Sequence, residues 1–429
     1  MNKVTARALV AVVAATSLVA LAGCASSGSG SDSNEKITLN VQFFGSFGYK
    51  EAGLYKAYEK LHPNITINES SPQNETDYWN ATQTRLAGNS GLGDINAIEV
   101  GRIAGVIQNQ SSKFVDLSKL SGAKAYFAKF LPWKMALAAT SSGYQVGAGM
   151  DIGPVSVCYK PDLFKAAGLP TDPAAVSALW KGDWQKYVDV GKEFQAKAPS
   201  GTVFMDSAAG LFRGAMSATN DKYTDKSGKL IWATSPTVKS SFDLAAEAVD
   251  AGLSTKLTQF SPAWNTAFST TAYASIICPG WMLTYIKGQD AKGAGNWAVA
   301  DAPLPGDVGG TYLSIPKTSQ HQAQAWDLIK FLTSASSQQA VFEKAGNFPS
   351  NLSAISAVAS YTDPYFSNSP TGQILGDSAK AIPTPQIIGP HDNDVEGAIM
   401  NGVNEIAQKG VSPDQAWKDA SAAIKTAVG

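Results

Sequence analysis

The chain is short of charge, cysteine and histidine, and each shortage removes a class of protein. Charged residues make up 16% of it, against about 25% in typical globular proteins. The formal net charge is -1, so there is no basic field to hold nucleic acid and no acidic field for cationic partners. The three histidines, His62, His321 and His391, and the three cysteines, Cys24, Cys158 and Cys278, are too scattered for a metal-ligand cluster. The sequence carries no Gly-x-Ser-x-Gly elbow, zinc motif or phosphate loop. After the first two dozen residues, no apolar run approaches the roughly 20 residues that a spanning helix needs.

What is present begins with a leader. Lys3 and Arg7 precede an almost uncharged run from Ala8 to Ala22, the charged-then-apolar layout of a secretory signal. The run ends in Leu21-Ala22-Gly23-Cys24, small residues directly before a cysteine, and so resembles the bacterial lipobox. That resemblance implies lipidation at Cys24. Residues 25–33 read ASSGSGSDS, a tract with too little apolar surface to fold, expected as a flexible tether.

Roughly 395 residues follow, more than one core usually serves, so two domains are expected. Ile37, Leu39, Val41 and Phe43 alternate with polar residues, a period of two that argues for a strand. Leu54, Tyr55, Tyr58 and Leu61 recur at helical spacing before His62-Pro63, and Asn64–Glu69 is a second strand. Strand, helix and strand within about thirty residues make a βαβ unit with parallel strands. The alternation continues through a helix at Tyr78–Ala87, a strand at Asp94–Val100 and a helix from Ile103. Further strands are expected at Val155–Tyr159, Thr202–Met205, Ala272–Cys278 and Thr311–Ile315. Helices are expected at Trp184–Phe194, at Gln322–Leu332, and along the stripes containing Val395 and Trp417. Trp180, Trp184, Trp326 and Trp417 stand at helical positions and read as structural; Trp264 and Trp297 have no assigned place. No repeat of 20–50 residues is visible. Cys158 and Cys278, both in apolar strand-like runs, either form a disulfide or remain two inert buried thiols.

The words LNVQFF…GLYKAYEKLHPNITINE, DINAIEVGRIAGVIQNQSSKFVDLSKL, GYQVGAGMDIGPVSVCYKPDLFKAAGLP, CPGWM and GGTYLSIPKTSQHQAQAWDLIKFLTSASSQQAVFEKAGNFPS occur in this order. Together they resemble the extracellular solute-binding proteins of sugar importers, the family that includes the maltose-binding proteins. The stretch Gly147–Pro170 looks most like actinobacterial binders of gluco-oligosaccharides such as cellobiose.

The resemblance implies an α/β, two-lobed periplasmic-binding-protein-like fold (type II), each lobe a sheet flanked by helices, with ligand in the cleft between them. It implies a signal peptide over 1–23, lipidated Cys24 with tether over 24–35, lobe 1 over 36–145, lobe 2 over 146–295, a return to lobe 1 over 296–345, and a C-terminal helical segment, 346–429, mainly on lobe 2. It also implies a monomer on the outer face of the cell membrane, an oligosaccharide ligand, separate permease subunits of an ATP-driven importer, and neither cofactor nor catalysis.

A sugar offers hydroxyls to carboxylates and amides and a C–H face to aromatic rings, and open α/β sheets put ligands beyond strand C-termini. On those grounds and by family position, the candidates in lobe 1 are Phe44, Phe47, Gln73, Asn74 and Glu99, followed by Asp151 where the chain enters lobe 2. Those in lobe 2 are Asp206, Phe212, Arg213 and Trp281, with Tyr312, Asn347, His391 and Asp392 in further loops. Each has a plainer alternative. Phe44 or Phe47 caps the core, Glu99 is an exposed strand-end carboxylate, Asp151 forms a turn before Gly-Pro, Arg213 pairs with an acid, and Trp281 plugs the core. A glycoside hydrolase would need two carboxylates around a scissile bond, and Glu99, Asp151 and Asp206 are the acids that could supply them. The same fold with glycerol phosphate, a polyamine or a peptide as cargo is the remaining alternative; a phosphate would call for several cationic or helix-N-terminal contacts, and only Arg213 among the candidates is cationic.

Overall fold

The computed structural model describes residues 35–383 and 386–428; the leader, Cys24 and most of the tether lie outside them. Nine strands occur among the described residues: β1 Ile37–Gln42, β2 Ile65–Ser70, β3 Ile95–Glu99, β4 Ala148–Gly149, β5 Val155–Tyr159, β6 Val203–Met205, β7 Tyr273–Pro279, β8 Ala298–Asp301 and β9 Thr311–Ser314. They form two sheets, ordered β2-β1-β3-β9-β4 and β6-β7-β5-β8. In the first, β1 runs parallel to β2 and β3, while β9 is antiparallel to β3 and β4. In the second, β6 and β7 are parallel, and β5 is antiparallel to β7 and β8. Burial explains the sequence patterns. β1 buries Leu39 and Val41 on one face and exposes Thr38 and Asn40 on the other, hence its alternation. β5 and β7 are covered on both faces, and every residue in them is buried, so they read as continuous apolar runs.

Each sheet nucleates its own core. Leu39, Val41, Ile95, Leu313, Trp326 and Leu328 pack around the first, and Val157, Tyr159, Phe164, Trp180, Tyr187 and Phe204 around one face of the second. Trp264, Phe268, Tyr273, Ile276 and Trp297 fill the other face. Trp264 and Trp297 are therefore core residues. Cys158 and Cys278, on neighbouring strands β5 and β7, are joined by a disulfide with Cα atoms 5.4 Å apart. The helices Asp392–Lys409 and Pro413–Val428 pack on the second-lobe helices Ala208–Met216 and Pro236–Asp250.

Three segments run side by side between the sheets. Residues 150–154 lead from β4 to β5, 302–310 return from β8 to β9, and 346–351 follow the helix Ala335–Lys344. Val308 N–H donates to Gly153 O (2.8 Å), Ile152 N–H to Phe348 O (3.1 Å), and Gly153 N–H to Asp307 Oδ1 (2.9 Å). A side chain on Gly153 would place its Cβ 1.9 Å from Val308 O, and Gly309 and Gly310 sit at φ +93° and +117°. Glycine is what lets these strands touch and turn here.

Candidate functional site

Because β5 and β9 run against their neighbours, the ends of β1, β2 and β3, the start of β9, the ends of β6, β7 and β8 and the start of β5 all gather on the side of their sheets where the three crossing segments lie. The predicted site residues fall along this boundary in three groups.

The first group is aromatic. Trp281 occupies the first turn of the helix Gly280–Gln289, which leaves β7 directly. It is half-buried, and its Nε1–H donates to the crossing-strand carbonyl of Val308 (2.7 Å). One turn on, Tyr285 donates its hydroxyl to Asn265 Oδ1 (2.7 Å). Phe260 lies 6.2 Å from Trp281, the planes 30° apart, and meets Tyr285 edge-on at 5.6 Å. From the other lobe, the Gln73 side chain comes close enough to the Tyr285 hydroxyl to oppose the upward push of burial on its pKa. The loop carrying Gln73 is tied to the loop after β1 by Gly45 N–H to Pro72 O (2.9 Å) and by Ser71 Oγ to Gly45 O (2.8 Å). Phe44 and Phe47 lie in that second loop but turn inward. Phe47 is 7% exposed and stacks on Phe43 at 4.6 Å, and half-buried Phe44 packs on Tyr78 at 5.5 Å. Asn74 accepts from Asp77 N–H (3.0 Å) and caps the helix Glu75–Gly88.

The second group is charged. Glu99 ends β3 and caps the helix Val100–Asn109, its Oε2 accepting from Gly101 N–H at 2.6 Å. Burial, then the neighbouring Glu75 carboxylate, pushes its pKa up to about 7. Glu75 is held by Arg102 through two hydrogen bonds of 3.2 and 3.1 Å. Opposite, Arg213 donates to Glu396 Oε1 (2.7 Å) and Tyr223 to Glu396 Oε2 (3.2 Å). The lobes approach closely here, since a Cβ on Gly101 would fall 2.0 Å from Asn393 Oδ1. Asp392 is buried and accepts from Thr224 Oγ1 at 2.6 Å; burial lifts its pKa to about 6. His391 is exposed, its ring 3.5 Å from Asp394.

The third group lies within the crossing itself. Asp151 is buried, its pKa raised to about 6 by desolvation against the opposing pull of Lys134 and Thr311. Lys134 is fully buried, its ammonium 4.0 Å from the Tyr312 ring centroid, and burial pushes its pKa down. Tyr312, also fully buried, donates its hydroxyl to Lys134 O (2.8 Å). Asn347 reaches both lobes, donating to Ser46 O (3.1 Å) and accepting from Thr284 Oγ1 (3.2 Å).

Two candidates stand apart from these groups. Phe212 is fully buried among the second-lobe helices. Asp206 is also fully buried, and its Oδ2 accepts from Gln259 Nε2 and Trp264 Nε1, both at 2.9 Å. Desolvation pushes its pKa up to about 7. Sequence reasoning missed Lys134, Glu396, Phe260 and Tyr285. Tyr285 had a usable signal, since it stands four residues beyond Trp281 on the same helix.

Two α/β lobes joined by three crossing segments, with aromatic and polar side chains on the loops between them, define a two-lobed binding protein. Residues 53–368 match the model of the bacterial extracellular solute-binding proteins, and the chain belongs to that family. Among solved structures it resembles an extracellular solute-binding protein of family 1, with TM-score 0.78 and 35% identity over 92% of this chain and 100% of that one. It also resembles the ABC transporter associated binding protein of B. animalis subsp. lactis Bl-04 in complex with β-1,6-galactobiose. There the TM-score is 0.76 at 19% identity, over 92% and 97% of the two chains, a likeness of fold. The lactose-binding protein of Rhizobium radiobacter is 25% identical over 292 residues, so the chain spans 65% of that relative's length and the match covers 65% of its own. The arabinooligosaccharide-binding protein of Bacillus subtilis is 25% identical over 357 residues, 77% of this chain and 76% of the relative. Among the described residues, no helix is long and apolar enough to cross a membrane, and no cluster of metal-ligating side chains occurs.

Proposed function

We propose that the chain is the extracytoplasmic binding component of an ATP-driven sugar importer, and that it takes an oligosaccharide between its lobes and delivers it to separate permease subunits. The observation that carries this reading is the Trp281–Tyr285–Phe260 aromatic group on one lobe beside the polar Gln73 loop of the other, across glycine-bearing crossing strands. Rings for a sugar's C–H face stand beside hydrogen-bonding groups for its hydroxyls. The named ligands of the relatives support a saccharide without favouring one, since they include lactose, arabino-oligosaccharide and galactobiose. A gluco-oligosaccharide such as cellobiose is the cargo we would test first.

Two observations weigh against the alternatives. Arg102 and Arg213 are each paired with a carboxylate, which leaves neither uncommitted for a phosphate-bearing cargo. Asp206 is fully buried with Oδ2 committed to Gln259 and Trp264, a poor position for an acid or nucleophile in glycoside hydrolysis. We further read Cys24 as the lipid anchor of a monomer on the outer face of the membrane, on the strength of the leader sequence. Replacing Cys24 with Ser behind a different secretion signal is expected to release the protein from membranes without changing its ligand affinity; continued membrane association would refute the anchor.

Calorimetric titration against a panel of oligosaccharides tests the central reading. At least one member is expected to bind with a dissociation constant of about 10 μM or tighter, worth roughly 7 kcal/mol. Small-angle scattering is expected to show a smaller radius of gyration at saturation, because a ligand that touches both lobes favours the closed form. Binding of a phosphate ester, polyamine or peptide with no saccharide binding would replace the cargo.

A further inference from the structure

The residue that this family resemblance did not point to, Phe260, carries the least expected geometry in the chain. Four non-glycine residues have positive φ among the described residues: Asn89, Phe260, Ser367 and Asn368. Asparagine tolerates this region because its short polar side chain bonds locally, but a bulky aromatic does not. Phe260, at φ +66°, holds a conformation that costs on the order of 1–3 kcal/mol and persists only when its surroundings over-determine it. Burying the ring would help offset that cost. Yet Phe260 is 39% exposed, one of three large apolar side chains left out among the described residues.

Its neighbours explain how the backbone is held. Thr258 Oγ1 accepts from Gln408 Nε2 (2.8 Å), and Gln259 Nε2 donates to buried Asp206 (2.9 Å). Ser261 caps the helix Pro262–Ala267, accepting from Trp264 N–H at 3.3 Å. Even the floor beneath Gln259 is shaped for it, since a Cβ on Gly210 would come within 2.7 Å of the Gln259 amide. Both flanks of Phe260 are thus fastened to the body, and the ring between them leans on Trp264 at 5.2 Å with part of its surface left to solvent. It is held next to Trp281, at 30° to it and 6.2 Å away. That is wider than the 4.6 Å of the stacked Phe43–Phe47 pair, so the two rings are tilted neighbours and not a closed stack.

We infer that Phe260 is a second stacking platform, engaging the sugar ring next to the one on Trp281, and that it sets a preference for ligands of two or more rings. This rests on the reading of the cleft as a saccharide site. Asp206, Gln259 and Gly210 are positioning residues for it. The strain at residue 260 keeps the platform ready before ligand arrives, so the ring is not ordered at the expense of binding.

The test uses the full-length protein, the best saccharide found for the wild type, and its homologues of one, two and three rings. Phe260→Asn keeps a residue that accepts the left-handed backbone and removes the ring; Phe260→Trp keeps a ring. For F260N, affinity for the two- and three-ring ligands is expected to fall about 10- to 100-fold, with single-ring affinity within about 2-fold of wild type and the unliganded melting temperature unchanged or raised. F260W is expected to recover the longer ligands to within about 3-fold. If F260N fails to fold, Phe260→Gly takes its place. Longer-ligand affinity unchanged in F260N would overturn the inference, as would an equal loss for one, two and three rings, which would mean that Phe260 acts only by placing Trp281. A wild type that binds no saccharide at all defeats the functional reading first, and this inference with it.

Discussion

Phe44 and Phe47 in the first lobe and Phe260 and Trp281 in the second are all aromatic, and all lie in loops or turns along the same interlobe boundary, yet the chain uses them differently. In the first lobe the loop after β1 folds its rings back, and Phe43, Phe47 and Tyr49 pack against one another at 4.6 to 6.1 Å. In the second lobe the backbone at Phe260 is held left-handed and its ring stays 39% exposed, while Trp281, in the first turn of the helix that begins at Gly280, is half-buried along the edge of the core. An aromatic residue beyond a strand end is therefore not yet a platform. The backbone that carries it decides whether the ring joins a core or keeps a face open to solvent.

The sharpest way to break this contrast is to delete one ring from each side. Phe47→Ala removes a ring that is nine-tenths buried and is expected to destabilise the protein by about 3–5 kcal/mol, seen in unliganded thermal or urea unfolding, while the folded fraction keeps its ligand affinity. Trp281→Ala is expected to show the reverse pattern. It should weaken binding by about 2–4 kcal/mol, roughly thirty- to a thousand-fold, and Trp281→Phe should recover part of the loss. The two lobes would cease to differ if Phe47→Ala lowered affinity in the folded fraction, or if Trp281→Ala melted early yet bound normally.

The contrast also marks what the sequence could convey. Strands with a strong period or a continuous apolar run were legible almost to the residue, such as Ile37–Gln42 and Val155–Tyr159, as was the helix Gln322–Leu332 with its stripe of Trp326, Ile329 and Leu332. β8 was not, because Ala298–Asp301 is four residues long and is defined by its pairing with β5, a partner some 140 residues earlier in the chain. The crossing segments lie at 150–154 and 302–310, somewhat beyond the boundaries expected near 145 and 295, since β4 and β8 are too short to announce which sheet they join. The site residues divide along the same line. Family position drew attention to Trp281 and Glu99, whereas Phe260 depends on one backbone angle and Lys134 on burial, neither of which has a local signature. Trp264 and Trp297 found their places only in the packed core, where Asp206, 58 residues before Trp264, and Asp290, seven residues before Trp297, accept their indole N–H groups.

Asp206 gives the smallest but most specific expected effect, because it supports the second-lobe aromatics from below. Its folded-state pKa of about 7 stands above the ordinary carboxylate value of 3.8, with burial as the main cause. The folded protein therefore holds this proton more tightly than the unfolded chain. Between about pH 4 and pH 7 the native state binds more protons than the unfolded state, so the contribution to stability is fully present at low pH and is lost as pH rises through 7. Asparagine at this position copies the protonated acid and can still accept from Trp264 and Gln259. Asp206→Asn is thus expected to match the wild type near pH 4 and to exceed it at pH 8 by on the order of 1–2 kcal/mol, less than the full shift would give because buried sites relax and admit water. Glu99, Asp151 and Asp392, whose pKa values are also raised, leave some slope in both proteins, so the informative quantity is the difference between the two curves. Differential scanning calorimetry of both proteins from pH 4 to pH 8 measures it. Parallel curves would show that Asp206 does not titrate in this range. A mutant that is destabilised at every pH would show that both carboxylate oxygens, and not Oδ2 alone, hold Gln259 and Trp264 in place.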